Sequence, residues 1–204
     1  MSVDLSQIAK LYEKSLHDHG ETSCGVGWRD QPGHTLRFDQ LIKVIGNEPG
    51  PLEINELGCG YGAFYEYLIS KGVAVARFRG VDISAEMIER ARNRLSGAAA
   101  DLFVGSTLEK QADYSFASGI FNVPSSHDEA VWRDHILATL KNLAGHSRRG
   151  FAFNILSAYV DWRADNLYYG DPLFFFDYCK RNISRHVTLL HDYGLWEWTL
   201  IVRT

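Results

Sequence analysis

The chain has 204 residues, of which 46% are hydrophobic, and a formal net charge of -4 at pH 7. This length predicts a single globular domain with one ordinary core, since such a chain buries roughly 70% of the surface that its unfolded form exposes. The acidic balance and the lack of a long Lys/Arg cluster argue against a nucleic-acid partner.

The cysteine pattern and the apolar runs indicate the cellular compartment. Three cysteines, at positions 24, 59 and 179, are odd in number and widely spaced, which favours neither a disulfide framework nor a metal site. Residues 1–18 are amphipathic and mixed in charge, unlike a signal peptide, and no apolar run approaches bilayer length. We expect a cytoplasmic protein with neither a membrane partner nor a metal. The oligomeric state stays open.

Two helical patterns precede the first predicted strand. One covers residues 4–19 and the other covers residues 35–45. Between them lies a glycine-rich stretch at 24–33 that carries Trp28 and Arg29. We expect residues 1–50 to pack on the core, with Trp28 either closing over a bound ligand as a lid or anchoring the N-terminal helices.

Residues 51–204 are predicted to form the main α/β fold. Strand-like and helix-like patterns alternate from about Leu52 onward, which is typical of a doubly wound sheet with helices on both faces. The last two strand-like segments, at 186–191 and 196–202, are joined by four residues, too few for a parallel crossover. They predict an antiparallel hairpin at the end of a mostly parallel, Rossmann-like sheet of seven strands. The other predicted strands are 53–57, 74–81, 102–104, 114–121 and 150–155, and the helices between them are 63–71, 85–95 and 128–143.

The first of these strands runs into the sequence ELGCGYG at positions 56–62. A strand that breaks into glycines and restarts as a helix exposes backbone N–H groups to a closely packed ligand. Gly58, Gly60 and Ala63 satisfy the spacing G-x-G-x-x-G/A, and Asp82 follows about 20 residues later, as in dinucleotide-binding proteins. The spacing alone therefore fits two classes of cofactor.

Glu56 adds a carboxylate two residues before the first glycine, which favours a ligand with an ammonium and a sulfonium group over a diphosphate. ELGCGYG resembles the first motif of the class I S-adenosylmethionine-dependent methyltransferases, an acidic residue, any residue and then G-x-G-x-G. It matches at every specified position. The resemblance covers about Pro51 to the C-terminus. It implies S-adenosylmethionine as cofactor and a small-molecule acceptor, with a sheet that ends in an antiparallel seventh strand.

Two other functions stay open. A nicotinamide-dependent oxidoreductase shares the glycine spacing, and Tyr67 and Lys71 form a Tyr-x-x-x-Lys pair like that of short-chain dehydrogenases. The pair lies too close to the loop for that family, and dehydrogenases usually need a second domain. The third alternative is a non-catalytic binding module with the methyltransferase fold.

For the methionine and ribose ends of the cofactor, the resemblance implies one set of contacts. Glu56, Gly58, Cys59 and Gly60 would contact the methionine end, and Asp82 would bind the ribose hydroxyls. Asp82 ends a predicted buried strand, where ligands of open α/β sheets bind. The alternative is that Asp82 or Ser84 only caps the next helix.

At the adenine end the chain departs from the family pattern. Ile83 and Met87 would flank the base, although both also fit ordinary helix packing. Gly-Ser-Thr at 105–107 stands where many relatives carry Gly-Asp, so Ser106 and Thr107 would replace the usual acidic contact, or form a plain turn. Phe121 and the lid residue Trp28 complete the predicted cofactor contacts.

Methyl transfer from a sulfonium is an in-line displacement, so the protein contributes alignment, exclusion of water and, for a hydroxyl acceptor, removal of a proton. His127 is the candidate general base, because imidazole titrates near neutral pH and this loop opens toward the methyl group in the family. The alternative is that His127 only leads into a helix capped by Asp128. On the strength of His127 we expect oxygen rather than nitrogen as the acceptor atom. Segment 157–171, with its aromatic residues and Arg163, is a further source of contacts to a polar, anionic or sugar-like acceptor, or only a cover for the core.

Overall fold

The computed structural model describes residues 3–46, 50–126 and 128–204. Within these ranges the helices are α1 (Ser6–His19), α2 (Gln31–Leu41), α3 (Ala63–Ser70), α4 (Ala85–Arg94), α5 (Glu129–Gly145) and α6 (Pro172–Asn182). The strands are β1 (Leu52–Leu57), β2 (Val75–Asp82), β3 (Ala100–Val104), β4 (Ala112–Ala117), β5 (Ser147–Leu156), β6 (His186–Leu190) and β7 (Glu197–Arg203). No helix in this part of the chain is long and apolar enough to cross a bilayer.

The seven strands form one sheet in the order β3-β2-β1-β4-β5-β7-β6. The first five are parallel to one another, and β7 runs antiparallel to both β5 and β6. The predicted doubly wound fold and its antiparallel C-terminal hairpin are therefore confirmed. Because β7 is reversed, its first residue, Glu197, lies beside Leu156 at the carboxyl end of β5. The carboxyl ends of the parallel strands and the start of β7 thus share one edge.

Each face of the sheet has its own apolar cluster. Alternate strand residues point to opposite faces, so Phe151 and Phe153 pack with α5 and α6, whereas Ala152 packs with α2, α3 and α4. α1 contributes Ile8 to the first cluster, and α2 contributes Phe38 to the second. The N-terminal helices are therefore held by the same cores as the sheet.

Helix α2 begins four residues earlier than the apolar periodicity predicts. The side chain of Asp30 accepts a hydrogen bond of 2.7 Å from the Gly33 N–H, and a proline occupies the first turn. Both are standard N-terminal helix signals, because the first N–H groups of a helix lack partners within it.

Strand β4 ends at Ala117, four residues before the predicted end. Gly119 has φ of +70° and the Asn122 N–H donates to its carbonyl, so the chain turns after β4. This turn corrects the expectation that Phe121 lies at the end of a strand. The Phe121 ring packs edge-on against Phe153, and the Trp132 indole N–H donates to its carbonyl at 3.0 Å.

A buried polar network joins α2 to the sheet. Arg37 on α2 donates to one oxygen of Glu197 at 2.8 Å, and the Asn154 amide donates to the other oxygen at 2.8 Å. The Asn154 side-chain oxygen accepts from the Gly119 N–H at 2.7 Å. The Glu197 side chain is fully buried, so the pair replaces hydration that both groups have lost.

Replacing Glu197 by Gln should lower the free energy of unfolding by about 3 kcal/mol, because Arg37 would keep its charge without a buried anionic partner. Urea denaturation followed by circular dichroism measures this loss. The control is Asp177→Asn, which removes the exposed 2.7 Å pair with Arg181 and should cost less than about 1 kcal/mol. Equal losses in the two variants would contradict the structural role of the Glu197 pair.

Candidate functional site

A cavity of about 990 Å³, its open mouth included, lies at the edge where the parallel strands end. Its floor comes from the segments that follow β1, β2, β3 and β4, and α5 adds part of one wall. The N-terminal segment supplies the opposite cover through Leu5, Ile8, Tyr12, Val26, Trp28, His34 and Phe38. A cavity at this position is the usual ligand site of an open α/β sheet.

The glycine loop between β1 and α3 is fixed by its contacts with β2. The N–H groups of Gly58 and Cys59 both donate to the Val81 carbonyl, at 2.7 and 3.1 Å. Gly58 has φ of +77°, and a Cβ atom there would lie 2.1 Å from Cγ2 of Ile120. Only glycine fits this position, because it combines a left-handed backbone with close packing.

Asp82 connects the glycine loop to the start of α4. Its carboxylate accepts from the Gly60 N–H at 2.8 Å and from the Ser84 N–H at 2.9 Å. Ser84 caps α4 by accepting from the Met87 N–H at 3.1 Å. The cap therefore belongs to Ser84. Asp82 lines the cavity, and each of its oxygens retains capacity for one more donor. Burial raises the pKa of Asp82.

Glu56 is the second carboxyl group at the cavity. The residue is 3% exposed, and its Oε2 atom has no hydrogen-bond partner in the described part of the chain. Burial, followed by the nearby charge of Asp82, raises the pKa of Glu56 well above its ordinary value. A buried carboxyl without a partner is uncommon in proteins, and this one faces the space beside the glycine loop. The arrangement suits a cationic group of a ligand.

Comparison with known proteins identifies the family. The family model described as "Methyltransferase domain" matches residues 54–150. The curated protein "Putative methyltransferase Rv1506c" of Mycobacterium tuberculosis is 48% identical over 162 residues, which cover 78% of this chain and 97% of that protein. The chain belongs to the methyltransferase family.

Solved structures with the same fold include other methyltransferases at low sequence identity. Magnesium protoporphyrin IX methyltransferase from Synechocystis PCC 6803, crystallised with S-adenosylhomocysteine, is 15% identical with a TM-score of 0.72 and covers 98% of this chain and 99% of its own. Phosphoethanolamine N-methyltransferase 1 of Haemonchus contortus is 12% identical with a TM-score of 0.66, covering 100% of this chain and 50% of its own. These similarities establish the fold.

In this methyltransferase the cavity brings together most of the residues that the sequence predicted as cofactor contacts. Those lining it are Trp28, Glu56, Gly58, Cys59, Gly60, Asp82, Ile83, Met87 and Ser106. Phe121 and Thr107 are not among them: the Phe121 ring is fully buried in the core, and Thr107 is exposed. The physical reason for Phe121 is the early turn after β4. His127 lies outside the described residues.

Trp28 is positioned by two contacts. A Cβ atom at Gly119 would lie 2.3 Å from the Trp28 indole, so the ring rests directly on the backbone after β4. The Arg37 guanidinium lies over the ring, 3.7 Å from its centroid. Trp28 is thus anchored to the backbone after β4 and forms part of the cavity wall. Closure of its ring over a bound ligand stays a prediction.

Sequence reasoning missed several cavity residues. His34 and Ser118 line the cavity, and each has a buried polar atom without a partner, Nδ1 and Oγ respectively. Tyr12 and His135 also line it. The sequence offered no signal for His34, because a histidine inside an amphipathic helix is usually a packing residue. Its position depends on how α2 docks on the sheet.

Substituting Gly58 by Ala should reduce stability more than substituting Gly72, which has nearly the same φ of +75° but nothing within 4 Å of a Cβ atom. Gly72→Ala should cost about 1 kcal/mol for the backbone alone, and Gly58→Ala at least about 1 kcal/mol more for the clash with Ile120. Urea denaturation of both variants tests this.

Removing the clash provides a second test. Gly58→Ala combined with Ile120→Ala should cost less than the sum of the two single changes, because the residues are in contact. Strict additivity would show that Ile120 does not confine the glycine loop.

Proposed function

We propose that this methyltransferase takes its methyl group from S-adenosylmethionine and transfers it to a small-molecule acceptor. The observation that carries the proposal is the unpartnered, buried carboxyl of Glu56 beside the glycine loop, with Asp82 at the end of the neighbouring strand. The solved methyltransferases from Synechocystis with bound S-adenosylhomocysteine and S-adenosylmethionine add support from the same fold.

The residues present fit this cofactor. Glu56 offers an anionic acceptor for the ammonium group, and the remaining lone pairs of Asp82 suit the ribose hydroxyls. Ile83 and Met87 provide apolar walls for adenine, and Ser106 provides a hydroxyl. When bound, S-adenosylmethionine supplies a methyl group on a positively charged sulfur, which needs no further activation. The chain's own residues then hold the reactants in line and exclude water.

Cation binding also explains how two buried acids coexist. In the ligand-free protein, burial and mutual repulsion favour the protonated form of Glu56. An ammonium group within hydrogen-bond reach favours the ionised form, so binding draws the Glu56 carboxyl toward ionisation and releases its proton. The cofactor thereby removes an electrostatic cost that the fold carries without it.

The cover over the cavity supports a small acceptor. Residues from α1, α2 and the segment between them lie across the carboxyl edge of the sheet, and Trp28 rests on Gly119. A polymer would have to displace this N-terminal segment, whereas a small molecule fits beside the cofactor. We favour oxygen as the acceptor atom, with His127 as a candidate base that stays a prediction.

Glu56→Gln should weaken binding of S-adenosylhomocysteine by about tenfold to a hundredfold, because hydrogen bonds to charged groups contribute about 1.5–3 kcal/mol. The same change should stabilise the ligand-free protein at neutral pH. The folded-state pKa of Glu56 is raised, so ionisation of this group destabilises the fold as pH rises above its unfolded pKa, and Gln does not ionise. Isothermal titration and thermal unfolding measure the two effects.

The control ligand is 5′-methylthioadenosine, which lacks the amino-acid part of the cofactor. Its affinity should be the same for wild type and Glu56→Gln, since it has no ammonium group. If wild-type protein in its folded state gives no heat with S-adenosylhomocysteine, the cofactor assignment is wrong. If both ligands weaken equally, Glu56 does not face the ammonium group.

The acceptor atom is tested by product analysis. Incubating the protein with S-adenosylmethionine carrying a ¹³C-labelled methyl group and a small-molecule extract should give a labelled product whose methyl carbon has the chemical shift of an O-methyl group. His127→Ala should slow its formation if that residue removes the proton. A labelled methyl group on nitrogen would contradict the preference for oxygen.

A further inference from the structure

We propose that the part of the cavity bounded by Trp28, His34, Phe38 and Ser118 is the acceptor subsite, and that it takes an uncharged molecule whose hydroxyl group donates to Nδ1 of His34. This inference rests on the proposed function and names the substrate class of that site. It gives His34 a hydroxyl-binding role that no sequence motif marks, and it makes His34 an alternative to His127 as the group that takes the proton.

The sheet order places this subsite on one side of the cofactor loop. Asp82 follows β2, whereas Gly119 follows β4, and these strands flank β1 on opposite sides. His34 lies on α2, which packs against β5, β7 and α3. One turn further along the same helix, Arg37 is paired with Glu197 at the start of β7. His34 is therefore on the β4 side of the loop, away from the residue predicted to bind ribose.

The surroundings of His34 leave its polar atom to a ligand. The residue is 3% exposed, and Nδ1 has no hydrogen-bond partner in the described part of the chain. Its ring centroid lies 4.4 Å from that of Phe38 and 6.1 Å from that of Trp28. Neither aromatic face satisfies an imidazole nitrogen in the ring plane. A buried polar atom at a cavity wall gains most from a ligand that completes its hydrogen bond.

The charge state of His34 suits a hydroxyl donor. Burial, followed by the neighbouring positive charge of Arg37, lowers the pKa of His34 to about 4. The imidazole is therefore uncharged at neutral pH, and in the tautomer with its proton on Nε2 it presents Nδ1 as an acceptor. The Ser118 hydroxyl, also buried and without a partner, provides a second polar contact on the same side of the loop.

The cavity wall argues against an anionic acceptor. In the described ranges, its charged side chains are the carboxyls of Glu56 and Asp82, and neither Lys nor Arg lines it. Arg37, whose guanidinium lies over the Trp28 ring, is already paired with Glu197. Arg163 is exposed and donates to the Ala158 carbonyl. The described lining therefore offers no Lys or Arg side chain to pair with a carboxylate or phosphate on the acceptor.

The proton and the methyl group move in one balanced step. As the acceptor oxygen bonds to the methyl carbon, the carbon–sulfur bond breaks and its electron pair stays on sulfur. The hydroxyl proton passes to Nδ1 of His34, and the imidazolium then returns it to water.

The test uses phenol and benzoate, two aromatic probes of similar size that differ in charge and in the O–H group. Protein with ¹⁵N-labelled histidine is saturated with S-adenosylhomocysteine and titrated with each probe while the histidine resonances are followed by NMR. Phenol should shift the Nδ1 resonance of His34, and benzoate should leave it unchanged. His34→Phe and His34→Gln should each alter phenol affinity: Phe should weaken it about tenfold or more, and Gln, which keeps a hydrogen-bond acceptor, should weaken it less.

Two controls separate this inference from the cofactor assignment. Both His34 variants should bind S-adenosylhomocysteine with the wild-type affinity, which also shows that they fold. His17→Ala, which changes an exposed histidine on α1, should leave phenol binding unchanged. If the protein binds S-adenosylhomocysteine but phenol does not shift the His34 resonance, the assignment of the acceptor subsite is wrong. The same holds if benzoate shifts that resonance as much as phenol does. If the wild-type protein does not bind S-adenosylhomocysteine, the result instead counts against the proposed function.

Discussion

The geometry of the cavity depends on the Asp82 carboxylate and the two hydrogen bonds that it accepts from backbone N–H groups. It lies at the end of β2, where burial removes most of its hydration, and the Gly60 and Ser84 N–H groups replace that hydration. One of these groups belongs to the glycine loop, and the other belongs to the residue that caps α4. The carboxylate thus links the glycine loop to the start of α4, and it adds to the hydrogen bonds that the Gly58 and Cys59 N–H groups donate to the Val81 carbonyl.

The cover is fixed by a separate network that reaches the same floor. Glu197 accepts from Arg37 with one oxygen and from Asn154 with the other, and Asn154 accepts from Gly119. The turn after β4 and the docking of α2 are consequently set by one chain of buried hydrogen bonds. Trp28 contacts both Arg37 and Gly119, so its position follows from both ends of that chain. Movement of the cover would have to disturb a fully buried carboxylate, which favours a cover with defined closed geometry.

Sequence patterns predicted the parts of the molecule whose causes are local. The alternation of strands and helices, the glycine loop and the short link of the C-terminal hairpin all depend on neighbouring residues, and the structure has all three. The predicted end of β4 was wrong because the apolar residues up to Phe121 have strand character, whereas Gly119 turns the chain. The start of α2 was missed although Asp30 and a proline signalled it.

The cover could not be predicted in the same way. The Arg37–Glu197 pair joins residues 160 positions apart, and no periodicity encodes such a contact. The inward position of His34 depends on this docking, so it also could not be predicted from the sequence. Motif spacing marked the half of the cavity built from β1 and β2, whereas the contribution of α2 became visible only in three dimensions.

Three of the buried polar atoms that lack a partner in the described residues belong to residues that line the cavity. Asn55, Asn154 and Ser147 are buried and hydrogen-bonded to other parts of the chain. Glu56, Ser118 and His34, which line the cavity, each have a buried atom without a partner in the described residues. Each such atom costs about 1–3 kcal/mol. Ser125 and Tyr178 also have a buried hydroxyl oxygen without a partner in the described residues, and neither lines the cavity, so an unpaired atom alone does not mark a ligand-binding group. A cofactor and an acceptor with matching hydrogen-bonding groups would offset the cost of the three atoms at the cavity.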